Sequence, residues 1–295
     1  DWRVHGPLAC RRQAHLYSVC PVSHMPVRKA KRRGFGSWPF YITFGSRVGR
    51  GARALCPKSW MKMTQKLTTI GFDADDTLWQ NERFFQMTQE RFADLLRDHA
   101  EADHLSERLL AAERRNIGRY GYGIKGFVLS MIETALEVTN NDVPGTVIAD
   151  LIAAGQEMLS HPIDLLPHAA EVVARVAETH RVLLITKGDL LDQERKLAQS
   201  GLGEVFDGIE IVSDKTTAVY HSIFKRHGHG PGQGMMIGNS MKSDVVPMID
   251  AGGWGIYVPG QTTWALEYAE PPEGSDRFRH IATLSDLPGI VDAIG

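Results

Sequence analysis

The chain is expected to fold as an α/β protein: a Rossmann-like, doubly wound parallel sheet with an inserted block of helices. Three features predict it. Short apolar, β-branched runs recur at 67–72, 182–185, 209–212, 235–237 and 255–258, each the length of a buried parallel strand. Helical periodicities lie between them, and alternation of the two implies a parallel sheet covered on both faces. Residues 80–165 break the alternation, with apolar stripes at helical spacing and no convincing strand.

The first run ends in acids, as a strand feeding a functional loop would. Among the helices, one is marked by Val172, Val173, Val176 and Ala177. A second runs through Leu190, Leu191, Glu194 and Leu197 to a stop at Gly201, and a third is marked by Ala218, Val219, Ile223 and Phe224. In the insertion, Phe84, Thr88, Phe92, Leu95 and Leu96 share one helical face. So do Val128, Met131, Ile132, Ala135 and Leu136, and again Val147, Ile148, Leu151, Ile152 and Met158. About four helices are expected. They leave the sheet where a phosphate site would sit and can act as a lid. The expected organisation is a core of 66–79 and 166–295, helices over 80–165, and a separate leader over 1–60.

The leader carries 12 of the 33 Lys and Arg and a single acid, Asp1, leaving 21 bases against 34 acids in residues 61–295. A body this acidic argues against nucleic acid as a partner, and no apolar run is long enough to span a bilayer. Cys10, Cys20 and Cys56 all lie in the leader. The body therefore needs no disulfide, has no cysteine chemistry, and suits a reducing, cytoplasmic compartment. Three origins fit the leader: a transit peptide, which would imply organelle import, a disordered basic arm, or upstream sequence translated in error. Met61 and Met63, just before the first strand, favour the last.

Four strand ends carry polar signals. Phe72-Asp73-Ala74-Asp75-Asp76-Thr77-Leu78 follows the first strand. There Asp73 can attack phosphorus, and Asp75 can protonate the leaving oxygen and then help deprotonate water; an acidic turn is the plain alternative. At the second strand end, Thr186-Lys187-Gly188 can present a hydroxyl and backbone N–H groups to a phosphoryl oxygen, or Thr186 can simply cap a helix. Lys215, past the third, can neutralise the nucleophile and the transferring group, or be solvated. Gly238-Asn239-Ser240 and Asp244 follow the fourth. Asp73, Asp244 and the backbone carbonyl of Asp75 would hold Mg²⁺ and leave room for waters and a phosphate oxygen; alternatively Asp244 caps the next helix, where Pro247 fits the first turn.

Taken in order, these signals resemble the haloacid dehalogenase-like superfamily of hydrolases, mostly phosphatases. Asp73, Asp75 and Thr77 match its first motif, Thr186 its second, Lys215 its third, and Gly238, Ser240 and Asp244 its fourth. The likeness covers about residues 66–290. It implies a magnesium-dependent phosphomonoester hydrolase forming an aspartyl-phosphate on Asp73, and an α-helical cap at 80–165. Asn239 departs from the pattern, since the family often has Asp there; it adds no charge, can bond a metal-bound water, leaves Asp244 as the expected ligand and implies weaker magnesium binding. True haloacid dehalogenases replace the second acid of the first motif and need no metal, so Asp75 and Asp244 favour phosphoester chemistry. A phosphotransferase such as a phosphomutase, or a non-catalytic binding protein, are the alternatives. The expected partner is a small phosphorylated metabolite, and the oligomeric state is left open.

In the insertion, Arg119–Phe127 reads either as a connector or as a loop reaching the site, with Tyr122 or Lys125 touching the substrate's non-phosphate end. Trp79 reads as a packing residue. His221, His227 and His229 read as a solvated helix end rather than a metal site.

Overall fold

The computed structural model describes residues 66–295, so the expectations for the leader lie outside the described residues. The chain enters through β1 (Thr69–Phe72) and then makes four helices, α1 (Glu82–Leu96), α2 (Ala102–Tyr120), α3 (Ile124–Val138) and α4 (Gly145–Ser160). It returns through α5 (Ala169–Ala177) to β2 (Arg181–Lys187). There follow α6 (Leu190–Ser200), β3 (Gly208–Val212), α7 (Thr217–His227), β4 (Gly234–Gly238), α8 (Val246–Asp250), β5 (Trp254–Tyr257), β6 (Phe278–His280) and α9 (Leu287–Ile294).

The strands form one parallel sheet in the order β3-β2-β1-β4-β5-β6. β1 lies inside it with all four residues buried, which is why its run is apolar without alternation. Core residues pack on both faces. Val182, Leu184, Met235 and Ile237 belong to one cluster with Val172, Val173 and Val176 of α5. Leu183, Ile185 and Met236 belong to another with Tyr220, Ile223 and Phe224 of α7. Chain order reverses between β1 and β4, and in open α/β sheets the crevice at such a switch, beyond the carboxyl ends of the strands, is where ligands bind.

The four helices between β1 and β2 pack a core of their own around Phe92, Leu96, Leu109, Phe127, Met131 and Leu151. Among the described residues, no helix is long and apolar enough to cross a membrane.

Three expectations differ from the structure. In α6 the inward residues are Asp192, Gln193, Lys196 and Leu197, while Leu190 and Leu191 are exposed. The apolar pair sits at the helix start, and most of the face turned inward borders a polar cavity, with Leu197 alone reaching the core. Ile152 of α4 is likewise exposed, because the buried line follows Leu151, Ala154, Gly155 and Met158. β6 is absent from the sequence pattern, since Phe-Arg-His is a three-residue edge strand without an apolar run.

Phe92 is almost wholly buried in the helical core. Phe92→Ala is expected to destabilise the chain by roughly 3–5 kcal/mol through lost transfer energy and a residual cavity. Denaturant unfolding checks this; a loss below about 1 kcal/mol would mean the helices carry little of the fold's stability.

Candidate active site

Asp73 leaves β1 with its N–H donating to Ile237 O of β4 at 2.8 Å, which fixes it over the switch point. The Thr77 hydroxyl donates to Asp73 Oδ2 at 3.2 Å and accepts the Asn239 backbone N–H at 3.1 Å. One side chain thus ties the loop after β1 to the loop after β4. Lys215 is buried, and its ammonium donates to Asp73 Oδ1 and to Asp244 Oδ1, the latter at 2.7 Å. Burial alone would pull the Lys215 ammonium down, but Asp244 and Asp73 outweigh it and hold it charged. Burial pushes Asp73 up to about 7, against the pull of Lys215 and with Asp244 adding to the rise.

Asp244 is fully buried in a wide turn, Met241–Val245. Its second oxygen accepts the Ser240 N–H at 2.9 Å. A Cβ at Gly238 would lie 2.1 Å from Asp244 Oδ2, so the motif's glycine makes room for its acid. Asp244, expected to hold a metal, thus spends its two oxygens on Lys215 and Ser240.

Asn239 lies among acceptors. With its amide nitrogen toward them it donates to Asp75 O at 3.2 Å, Thr77 Oγ at 3.3 Å and Asp73 Oδ2 at 3.2 Å. With its oxygen toward them, oxygens face oxygens, and a cation among them would relieve the repulsion. Among the described residues no three His, Cys, Asp or Glu side chains are grouped to hold a metal. Here the oxygens come from one carboxylate, one carbonyl and one carboxamide.

Asp75 is held firmly. Its Oδ1 accepts from Trp79 Nε1 at 2.7 Å and Lys196 Nζ at 2.9 Å, and its Oδ2 from Gln193 Nε2 at 2.8 Å. Trp79, fully buried, therefore both packs and positions. Gln193 lies against Gly188, whose φ of +140° and close approach to that side chain disfavour any Cβ. Lys187 Nζ donates to Ser243 Oγ at 2.7 Å and to Glu267, and lies 4.1 Å from the centre of the Tyr122 ring.

A cavity of about 150 Å³ lies over these groups. It brings together Asp73, Asp75, Thr186, Lys187, Gly188, Lys215, Asp244 and Tyr122. Lys125 does not line it. That side chain is exposed and bonds Asp189, the cap of α6, at 2.9 Å, so it joins an insertion helix to a core loop instead of facing substrate. His227 pairs with Glu210.

The match to known proteins follows this geometry. A model of haloacid dehalogenase-like hydrolases matches residues 67–252. The chain belongs to the haloacid dehalogenase-like hydrolase family. It is 38% identical to a haloacid dehalogenase-like family hydrolase from Xanthomonas campestris, covering 78% of this chain and 92% of that one, with a TM-score of 0.70. The same fold, at 15% identity, is found in the HAD-hydrolase YfnB of Bacillus subtilis bound to magnesium, with TM-score 0.54 and coverage of 77% and 99%. It is also found at 17% identity in the L-2-haloacid dehalogenase of Xanthobacter autotrophicus with chloropropionic acid covalently bound, with TM-score 0.52 and coverage of 78% and 100%. The curated proteins gave no match.

Several cavity residues of this hydrolase were not singled out from sequence. Lys196 and Gln193 reach Asp75 from α6, and Glu267 and Trp264 come from the segment after β5. Glu82 of α1 and Glu113 and Asn116 of α2 line the insertion side. One signal was legible: on α2, Leu105, Leu109 and Ala112 set an apolar face that is continued by Glu113 and Asn116, both buried.

Burial, with Asp76 and Glu113 nearby, raises Glu82 to about 8, and burial raises Glu113 to about 7 although a hydrogen bond from Trp264 opposes it. Both carboxyls thus hold protons in the folded chain over a window where the unfolded chain has lost them. That window runs from about pH 4.5 to 8. Folding stability should fall as pH rises across it. Glu113→Gln should flatten the slope and raise stability at pH 8 by roughly 1–3 kcal/mol. Thermal unfolding against pH checks this, and an unchanged slope would refute it.

Proposed function

We propose that this hydrolase cleaves phosphate monoesters of small metabolites with magnesium, through an aspartyl-phosphate on Asp73. The observation that carries the reading is that Asp73 and Asp75 line the same cavity as Lys215, Lys187 and Thr186. Expulsion of an alkoxide needs a proton donor beside the nucleophile, whereas expulsion of halide does not.

Charge supports the metal. The cavity is lined by eight Asp and Glu against three Lys, an excess of acids that remains when Glu82 and Glu113 hold protons, and a phosphate dianion enters such a field only with added positive charge. Asp73 Oδ2, the Asp75 carbonyl and the Asn239 carboxamide oxygen are the atoms that would hold Mg²⁺, a cation that takes oxygen ligands and keeps several waters. When bound it supplies Lewis-acid polarisation of the phosphoryl group.

In this mechanism Lys215, Lys187 and Thr186 orient the phosphate. Asp73 attacks phosphorus in line as the ester P–O bond breaks. Asp75 turns from Lys196, takes up a proton from solvent in place of that ion pair, and gives it to the departing alkoxide. It then takes a proton from water as that water attacks phosphorus, and the P–O bond to Asp73 breaks to release phosphate. Trp79, Gln193 and Lys196 hold Asp75 at rest.

One observation favours a second reading. Both Asp75 oxygens are committed to protein donors, as suits an enzyme that expels halide without an acid. A 2-haloacid is itself an anion, however, and would meet the same excess of carboxylates.

The test is hydrolysis of an aryl phosphate by the full chain with Mg²⁺ and with chelator. Release is expected only with Mg²⁺. Asp73→Asn should lower turnover at least ~10³-fold with the fold retained. Asn239→Asp should tighten the magnesium dependence by adding a charge beside Asp73. Near-normal turnover in Asp73→Asn, or halide release from a 2-haloacid with no phosphate release from any ester, would overturn the reading.

A further inference from the structure

The insertion side of the cavity holds two buried acceptor oxygens without donors, although Trp264 bonds the Glu113 carboxyl. Glu113 Oε2 and Asn116 Oδ1 are closed off from solvent and have no hydrogen-bond partner. Glu113 is 7% exposed and Asn116 1%. They stand three residues apart on α2, so both face the same way. The Asn116 amide nitrogen donates to Ser130 Oγ at 3.1 Å and Glu133 Oε2 at 2.9 Å, which fixes its oxygen as the free end. Glu82 of α1 lies close enough to Glu113 for that acid to raise the cost of charge on Glu82.

No lysine of the cavity is left to serve them. Lys215 is held by Asp73 and Asp244, Lys187 by Glu267, and Lys196 by Asp75 and Asp192. Aromatic surface from Phe85, Tyr122 and Trp264 completes the wall, and aromatic faces attract cations. Buried acceptors without donors are costly in a folded protein and are normally matched by a partner.

We propose that this wall is a subsite for a protonated amine at the non-reacting end of the ester, so that ω-aminoalkyl phosphates are the preferred substrate class. The proposal rests on the phosphatase reading above for its phosphate end. An ammonium carries three donors and no acceptor. It can meet Glu113, Asn116 and Glu82 together and replace the protons that the empty wall keeps on its two acids. A hydroxyl satisfies one acceptor and carries no charge with which to replace those protons. Glu113 and Glu82 set specificity by touching the amine, and Asn116 is oriented for the same contact by Ser130 and Glu133.

The experiment compares ω-aminoalkyl phosphates with ω-hydroxyalkyl phosphates of matched chain length, using the full chain. The amine series is expected to show a higher kcat/KM by roughly 10- to 100-fold at its best length, the scale of a charge-assisted hydrogen bond. In Glu113→Gln and in Glu82→Gln that ratio should fall toward one, with circular dichroism confirming that each variant is folded. Calorimetry on Asp73→Asn with the same pairs reads the subsite without turnover, and tighter binding of the amine is expected. Equal or weaker binding of the amine in calorimetry would overturn the subsite. A preference for the amine in binding, with no ester hydrolysed by the parent chain, would keep the subsite and overturn the phosphatase reading.

Discussion

At the carboxyl ends of β1, β3 and β4, two carboxylates and one ammonium meet almost out of reach of water. Lys215 lies between Asp73 and Asp244. A charge buried there without a partner would cost several kcal/mol, and removing one member of such a group typically costs about 3–5 kcal/mol. The neighbouring geometry follows from keeping the three together. Gly238 must lack a side chain because Asp244 occupies its space. The wide turn at Met241–Val245 returns a backbone N–H to the second Asp244 oxygen. Thr77 braces the second Asp73 oxygen from the loop after β1. The group that orders the strand ends is also the nucleophile and its counter-charge in the proposed reaction, so folding and chemistry draw on the same contacts.

The sheet and its helices were legible in the sequence because buried parallel strands write themselves as short apolar runs and their ends as polar motifs. Asp73, Asp75, Thr186, Lys215 and Asp244 could be named because each lies at or just past such an end. What surrounds them was harder to read. Lys196 and Gln193 reach Asp75 from a helix whose first two leucines point outward, so an ordinary search for an apolar face led away from them. Glu267 and Trp264 sit after β5 in a segment without periodicity. Lys125 looked like a substrate contact because it lies next to glycines and tyrosines, but Asp189, distant in sequence, captures it. Side chains placed by long-range pairing leave no local mark.

The cavity is unusual in its charge. Its three lysines are all paired, and Glu82 and Glu113, which have no counter-charge, keep protons instead. Such a site repels bare anions. The proposed reaction answers this at both ends, with a divalent cation beside Asp73 and a substrate amine against Glu82 and Glu113. The same charge balance disfavours a haloacid, whose only charge is negative. In this proposal the insertion acts on the substrate: its first two helices supply the acids that would select the leaving group.

The most direct test of the central claim is the chemical state of Asp73 during turnover. The full chain is mixed with excess aryl phosphate and Mg²⁺, quenched in acid within one turnover, digested and mapped by mass spectrometry. The account predicts a phosphoryl group on the peptide containing Asp73, labile to hydroxylamine as acyl-phosphates are. A phosphoryl group on another residue, or an Asp73 that carries an ester adduct from a 2-haloacid and never a phosphoryl group, would contradict it.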